Sequence, residues 1–267
     1  MKHAAAALAL GLVALAPAAA EAGSSAWEQA QGGGVRIVAA SQAQPDGTLR
    51  AALEIDLKPG WKTYWLDPGS SGVPPTIELT VDGQPVAVAV DLPAPQRFDD
   101  GYSSFAGYAA PVSLALTFRP PVEPKSSVVD FSVFVGICET ICIPVQATLA
   151  VDLATGTPED EAAVDAAFAA LPGPARPDFG IASAWVEGDE LIVTTAAPDG
   201  AANVELFVAS TPSFVFGEPK ASADGRSFRV PLLDRPSEPV VATEAARYTL
   251  IADGEAVAGT VAISGHP

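Results

Sequence analysis

The chain has 267 residues, 49% of them hydrophobic, with 14 basic residues against 32 acidic ones, a formal charge of −18 and a pI near 4.2. That length suits two domains of ordinary size or one large one, and the apolar content excludes a largely disordered chain. The acidic excess argues against a nucleic-acid partner, whose phosphates it would repel, and two histidines, one methionine and two cysteines leave few side chains for metal or imidazole chemistry.

Met1-Lys2-His3 is a short basic start, followed by the apolar run AAAALALGLVALAP and the small residues Ala18, Ala20 and Ala22. This is the layout of a secretory signal peptide over residues 1–22, cut after Ala20 or Ala22. The run is short against the roughly 20 residues that span a bilayer, so a soluble, exported mature chain is expected. Cleavage after Ala20 removes Met1, Lys2 and His3; 14 basic residues become 13 against 32 acidic ones, and the charge becomes −19. His266 is then the only histidine left, and imidazole catalysis and most zinc sites lose their ligands. No metal and no cofactor are expected.

The mature chain reads as strand, turn, strand. Alternating segments begin at Val35, Leu49, Val112, Val128 and Val145, separated by turn formers such as Pro45-Asp46-Gly47, Val81-Asp82-Gly83 and the PPVEP run from Pro120. Period-two alternation with frequent Gly and Pro predicts antiparallel β structure in a sandwich over residues 27–153. One helix is expected at about 158–171: Thr157 is its N-cap, Pro158 its first residue, and Glu159-Asp160-Glu161 load the first turn with negative charge. The linker PGPARPDFG completes a connecting stretch over 154–180. Strands then resume over 181–267, with a hairpin turning at Gly188-Asp189, enough for a second small sandwich with its own core. That block has no cysteine and no cluster with ligand spacing, and reads as a packing or docking module.

Cys138 and Cys142 lie in GICETICIPV, between two predicted strands. A disulfide needs Cα atoms within roughly 7 Å, whereas four residues of extended strand span roughly 13 Å, so CETIC must turn back for the two to meet. From spacing alone a structural staple and a redox dithiol are equally open. A five-residue loop gains only about 2 kcal/mol from cross-linking, against about 4.7 for a hundred-residue loop, which weakens the staple without excluding it.

Three segments, WKTYWLDPGSSGVPPTIEL, LPAPQRFDDGYSSFAGYAAPVSL and GICETICIPV, in that order resemble the periplasmic N-terminal (alpha, "disulfide bond corrector") domain of the DsbD/ScsB thiol:disulfide interchange family, over about residues 30–152. The later block more weakly resembles the second immunoglobulin-like domain of the ScsB type. The resemblance implies an all-β chain of two immunoglobulin-like sandwiches joined by the short helix and Pro/Gly linker. It also implies a periplasmic thiol–disulfide exchange protein relaying reducing equivalents. The electron donor would be a separate membrane thiol–disulfide transporter of the DsbD/CcdA type, since no membrane domain is read in this chain. The acceptors would be periplasmic thioredoxin-like or disulfide isomerase proteins, including those of cytochrome c biogenesis and copper tolerance.

Carried onto this chain, Cys138 and Cys142 are the redox pair, with Cys142 forming the mixed disulfide and Cys138 resolving it. The C-x3-C spacing is that of the ScsB type. In the DsbD type an acidic residue precedes the second cysteine; here Ile141 stands there, and the nearest acid is Glu139. A carboxylate beside a thiol disfavours the thiolate. The family shields its pair with an aromatic cap, for which Phe98, Tyr102, Phe105 and Tyr108 are the candidates, with Glu139 and Pro144 at the site wall. Trp61, Tyr64 and Trp65 read as core, and the rigid turn Asp67–Pro75 as a further wall. The competing readings are a periplasmic Cu(I)-binding chaperone or copper-tolerance protein using the same two thiolates, and a non-catalytic docking module with a structural disulfide.

Overall fold

The computed structural model describes residues 23–69, 72–99, 101, 104–122, 124–223, 226–235 and 244–265. The expected signal peptide, Tyr102 and His266 lie outside them. The described chain is nearly all β, as its alternation predicts.

Two sheets face each other in the N-terminal part. One runs in the order Glu28–Ala30, Gly33–Ala39, Leu49–Leu57, Val112–Phe118, Val88–Asp91; the other runs Cys142–Asp152, Val128–Cys138, Thr76–Val81, Gln84–Val86. All these pairings are antiparallel. Their inward residues, among them Ile37, Leu53, Leu116, Phe131 and Val135, form one cluster, with Phe118 edge-on to Phe131 at 5.7 Å between centroids. Alternation thus becomes a sandwich core. Asp82 and Gly83 both take positive φ, 52° and 74°, which gives their hairpin the primed turn that matches strand twist.

The helix Pro158–Ala169 is closed by a capping box: the Thr157 side chain accepts from the Asp160 N–H, and the Asp160 carboxylate accepts from the Thr157 N–H. It does not bridge freely between sandwiches. Val164 and Ala167 pack on Val38, Ala40 and Ala52, the outer face of the first sheet.

The strands after the helix form one hydrogen-bonded sheet, in the order Val204–Val208, Glu244–Ala252, Glu255–Ser264, Gly180–Glu187, Glu190–Ala196, Ser227–Asp234, Val215–Phe216. Leu206 from one end and Phe216 from the other share one core with Phe228 and Leu250, so the sheet folds over on itself. The stretch expected as linker contributes to this unit. Gly173–Pro174 pairs with Val257 and Ala258, and Phe179 is fully buried in its core. A third, small antiparallel sheet belongs to the N-terminal part: Thr63–Tyr64, Ser104–Tyr108, Gln96–Asp99. It covers the cysteine hairpin.

Candidate functional site

The strand Val128–Cys138 pairs residue for residue with Cys142–Asp152, and Cys138 opposite Cys142 closes the hairpin. This pairing brings the two Cα atoms to 4.0 Å, and a disulfide joins the sulfurs. The Glu139 N–H donates to the Ile141 carbonyl at 3.1 Å across the tip. CETIC therefore turns back, as the cysteine spacing requires.

The two cysteines differ in access. Cys138 is 7% exposed, whereas Cys142 is open to solvent beside Ile141, which is 61% exposed. Cys138 is held by two backbone hydrogen bonds with Lys62, each 2.8 Å. Thr63 then donates its hydroxyl to the Gly136 carbonyl at 2.9 Å. The next side chain points the opposite way, as strand geometry demands. It is Tyr64, whose hydroxyl donates to Cys138 Sγ at 3.0 Å and lies 3.3 Å from Cys142 Sγ. A disulfide sulfur carries no proton, so the phenol is the donor. Burial pushes the Tyr64 pKa above its ordinary value, which keeps the phenol protonated at neutral pH.

Two glycines make the slot for this ring. A Cβ on Gly72 would lie 2.6 Å from Tyr64 Cδ1, and one on Gly136 would lie 3.1 Å from Cε2 on the opposite edge. Phe105 meets Tyr64 edge-on at 5.4 Å, and Phe98 stacks on Phe105 at 5.2 Å. The Lys62 ammonium sits 5.8 Å from the centre of the Phe98 ring. Phe98, Phe105 and Tyr64 thus form a layered aromatic cover over the buried sulfur.

The other expected wall residues are distributed differently. Glu139 is exposed, and its carboxylate leans to Gly60, where a Cβ would lie 3.1 Å from Oε1. Pro144 is exposed opposite Gly136 on the edge strand, where a missing N–H breaks no ladder. Tyr108 does not join the cover. It is an odd number of residues from Phe105 along one strand, so it faces the other side; it packs in the core and donates its hydroxyl to the Pro93 carbonyl at 2.7 Å. Burial pushes its pKa up strongly. Trp61 and Trp65 are core residues, as read from sequence, but Tyr64 between them, though buried, lies outside that cluster. The turn Asp67–Pro75 walls the site through Gly72, on the Tyr64 ring.

Residues 34–154 match the model of the family described as "Thiol:disulfide interchange protein DsbD, N-terminal". This segment is consistent with a DsbD/ScsB N-terminal domain. The N-terminal periplasmic domain of ScsB from Proteus mirabilis shares its fold, with a TM-score of 0.74 over 91% of this chain and 99% of that one, at 22% identity. The E. coli chaperone DraB aligns only loosely, with a TM-score of 0.22 and 10% identity over 86% of this chain and 96% of its own. No curated protein matches the sequence. The ScsB likeness spans both sandwiches, whereas the DsbD match ends before the helix. The family and the Cys138–Cys142 disulfide together support a thiol–disulfide exchange module. Among the described residues, no helix is long and apolar enough to cross a membrane, and no three His, Cys, Asp or Glu side chains gather as a metal site.

Proposed function

We propose that the protein is a periplasmic electron relay that passes reducing equivalents from a membrane thiol–disulfide transporter to periplasmic thioredoxin-like or disulfide isomerase partners. The observation that carries this reading is the asymmetry of the pair: Cys142 is exposed, and Cys138 is buried under the Tyr64 hydroxyl. An attacking thiolate needs in-line access to a sulfur, and Cys142 offers it.

The donor's thiolate attacks Cys142 Sγ, forming an intermolecular disulfide and breaking the Cys138–Cys142 bond. Cys138 leaves with the electron pair, and the Tyr64 phenol donates a hydrogen bond to the new thiolate before it takes a proton from solvent. The donor's second thiolate then attacks its own sulfur in the mixed disulfide, releasing Cys142 as a thiolate. Donor dithiol has become disulfide, and the pair here has gained two electrons. Delivery to an acceptor runs the same steps in reverse.

The test is trapping with purified partners of the thioredoxin type. Cys138→Ala should accumulate a mixed disulfide through Cys142, and Cys142→Ala should not. A wild-type pair that never equilibrates with a thioredoxin or glutathione couple would overturn the relay; a structural disulfide would lie below roughly −300 mV.

A further inference from the structure

The small sheet that covers the disulfide has two occupied faces. In its register Phe98 opposes Phe105, and Tyr64 opposes Gly107, on the side of the sulfurs. Arg97 opposes Ala106 on the other side, and Ser104 and Trp65 follow by alternation. That reverse face rests on the C-terminal sandwich. Trp65 is edge-on to Phe207 at 5.8 Å. Arg97 donates from Nη2 to the Leu206 carbonyl at 3.2 Å, lies 4.7 Å from the Phe207 ring centre, and places Nε 3.6 Å from Glu218 Oε1. The turn that walls Tyr64 is tied in as well, since Asp67 Oδ2 accepts from the Ser210 N–H at 2.6 Å.

The strand Val204–Val208 is built for this double duty. Leu206 and Val208 belong to the C-terminal core, while Phe207 and the following Ala209 belong to the N-terminal core. Between these anchor points lies a cavity of about 360 Å³, lined by Trp65, Arg97, Ser104, Phe207, Phe216 and Leu233. The Ser104 hydroxyl is buried there without a hydrogen-bond partner among the described residues. The back of the sheet is therefore held at a few points around an open space.

We propose that the C-terminal sandwich is the seat that keeps the aromatic sheet closed over Cys138–Cys142, with Arg97 as the positioning residue. Arg97 acts through its neighbour: holding it fixes the strand that carries Phe98, Phe98 holds Phe105, and Phe105 holds Tyr64 on the sulfur. Anything that displaces the seat opens the disulfide. By reciprocity, closing the sheet over the pair tightens the contact between the sandwiches. This rests on the exchange reading only in that the pair is taken to open and close.

The test uses the full chain and dithiothreitol as the reductant. Arg97→Gln should be reduced roughly tenfold faster than wild type, a factor that corresponds to about 1.4 kcal/mol of weakened seating. Glu218→Gln removes only the exposed partner; it should shift the rate in the same direction by less, and it serves should Arg97→Gln fail to fold. Arg229→Gln is the control. Arg229 pairs with Glu190 Oε2 at 2.6 Å within the C-terminal sheet and touches neither the small sheet nor the residues that hold it, so its rate should equal wild type. Equal acceleration by both arginine variants, or none by Arg97→Gln and Glu218→Gln, overturns the proposal. Failure of the relay reading is visible separately, as a wild-type pair that dithiothreitol reduces and thioredoxin does not.

Discussion

The Tyr64 hydroxyl stands 3.0 Å from Cys138 Sγ and donates a hydrogen bond to it at the buried end of the disulfide. Once the bond is cleaved, the same phenol faces a thiolate or thiol that solvent barely reaches. A hydrogen bond to a charged acceptor is worth about 1.5–3 kcal/mol, which is about one to two pH units on the thiol. Tyr64→Phe keeps the ring and deletes the donor. The Cys138 thiol should then titrate about one to two pH units higher, measured by ultraviolet thiolate absorbance of the reduced Cys142→Ala variant. Coincident titrations would mean that the ring acts by packing alone.

Phe105 is half-buried between Tyr64 and Phe98, so its removal opens the cover without emptying the sandwich core. Phe105→Ala should speed alkylation of the reduced cysteines by iodoacetamide about threefold to tenfold, because an aromatic pair of this geometry is worth about 1 kcal/mol. Tyr108→Ala should behave differently. Its ring fills the core and its hydroxyl satisfies Pro93, so truncation costs stability, about 3–5 kcal/mol for a large buried ring. Chemical denaturation of the two variants, set beside their alkylation rates, separates cover from core.

Much of this arrangement is legible in the residues. Leu49–Leu57 and Val112–Phe118 form over the ranges where strands are expected, because each alternates cleanly and is bounded by turn formers. The helix start is written in Thr157-Pro158-Glu159-Asp160, and the hairpin tip in the cysteine spacing. Tyr64 and Arg97 are not legible, for one reason. Tyr64 meets its sulfur across 74 residues of sequence, and Arg97 meets Leu206 across 109. Their strands are two and four residues long, too short for a periodic signal to assign each face. Which side of such a strand looks at the site is decided by tertiary pairing, here the bridge between Lys62 and Cys138.

Gly72 tests whether the slot positions the phenol. A methyl there would sit 2.6 Å from Tyr64 Cδ1 and 2.4 Å from Pro68 Cβ, distances that real Cβ atoms do not adopt. Gly72→Ala must therefore push the ring or the turn, at about 1–3 kcal/mol of overpacking. If the ring yields, the cysteine alkylation rate rises along with the loss of stability. Gly136→Ala, whose methyl would lie 3.1 Å from Cε2, should show the same pair of effects more weakly. A variant that loses stability while its thiols stay as protected as wild type would place the movement in the turn and not in Tyr64.

The buried tyrosines set an alkaline limit on stability. Burial raises the pKa of Tyr108 and of Tyr64, whereas tyrosine in the unfolded chain ionises near pH 10. Above about pH 10 the unfolded state therefore holds fewer protons than the native one, and stability falls as pH rises. Below that pH the contribution is complete and flat. Tyr108→Phe keeps the ring and removes the larger of the two shifts. It should lower stability at neutral pH by about 1 kcal/mol, for the bond to Pro93, and should lose less on going from about pH 9 to about pH 11. Urea midpoints measured across that range decide it. Parallel curves for wild type and variant would mean that Tyr108 ionises at its ordinary pKa despite its burial.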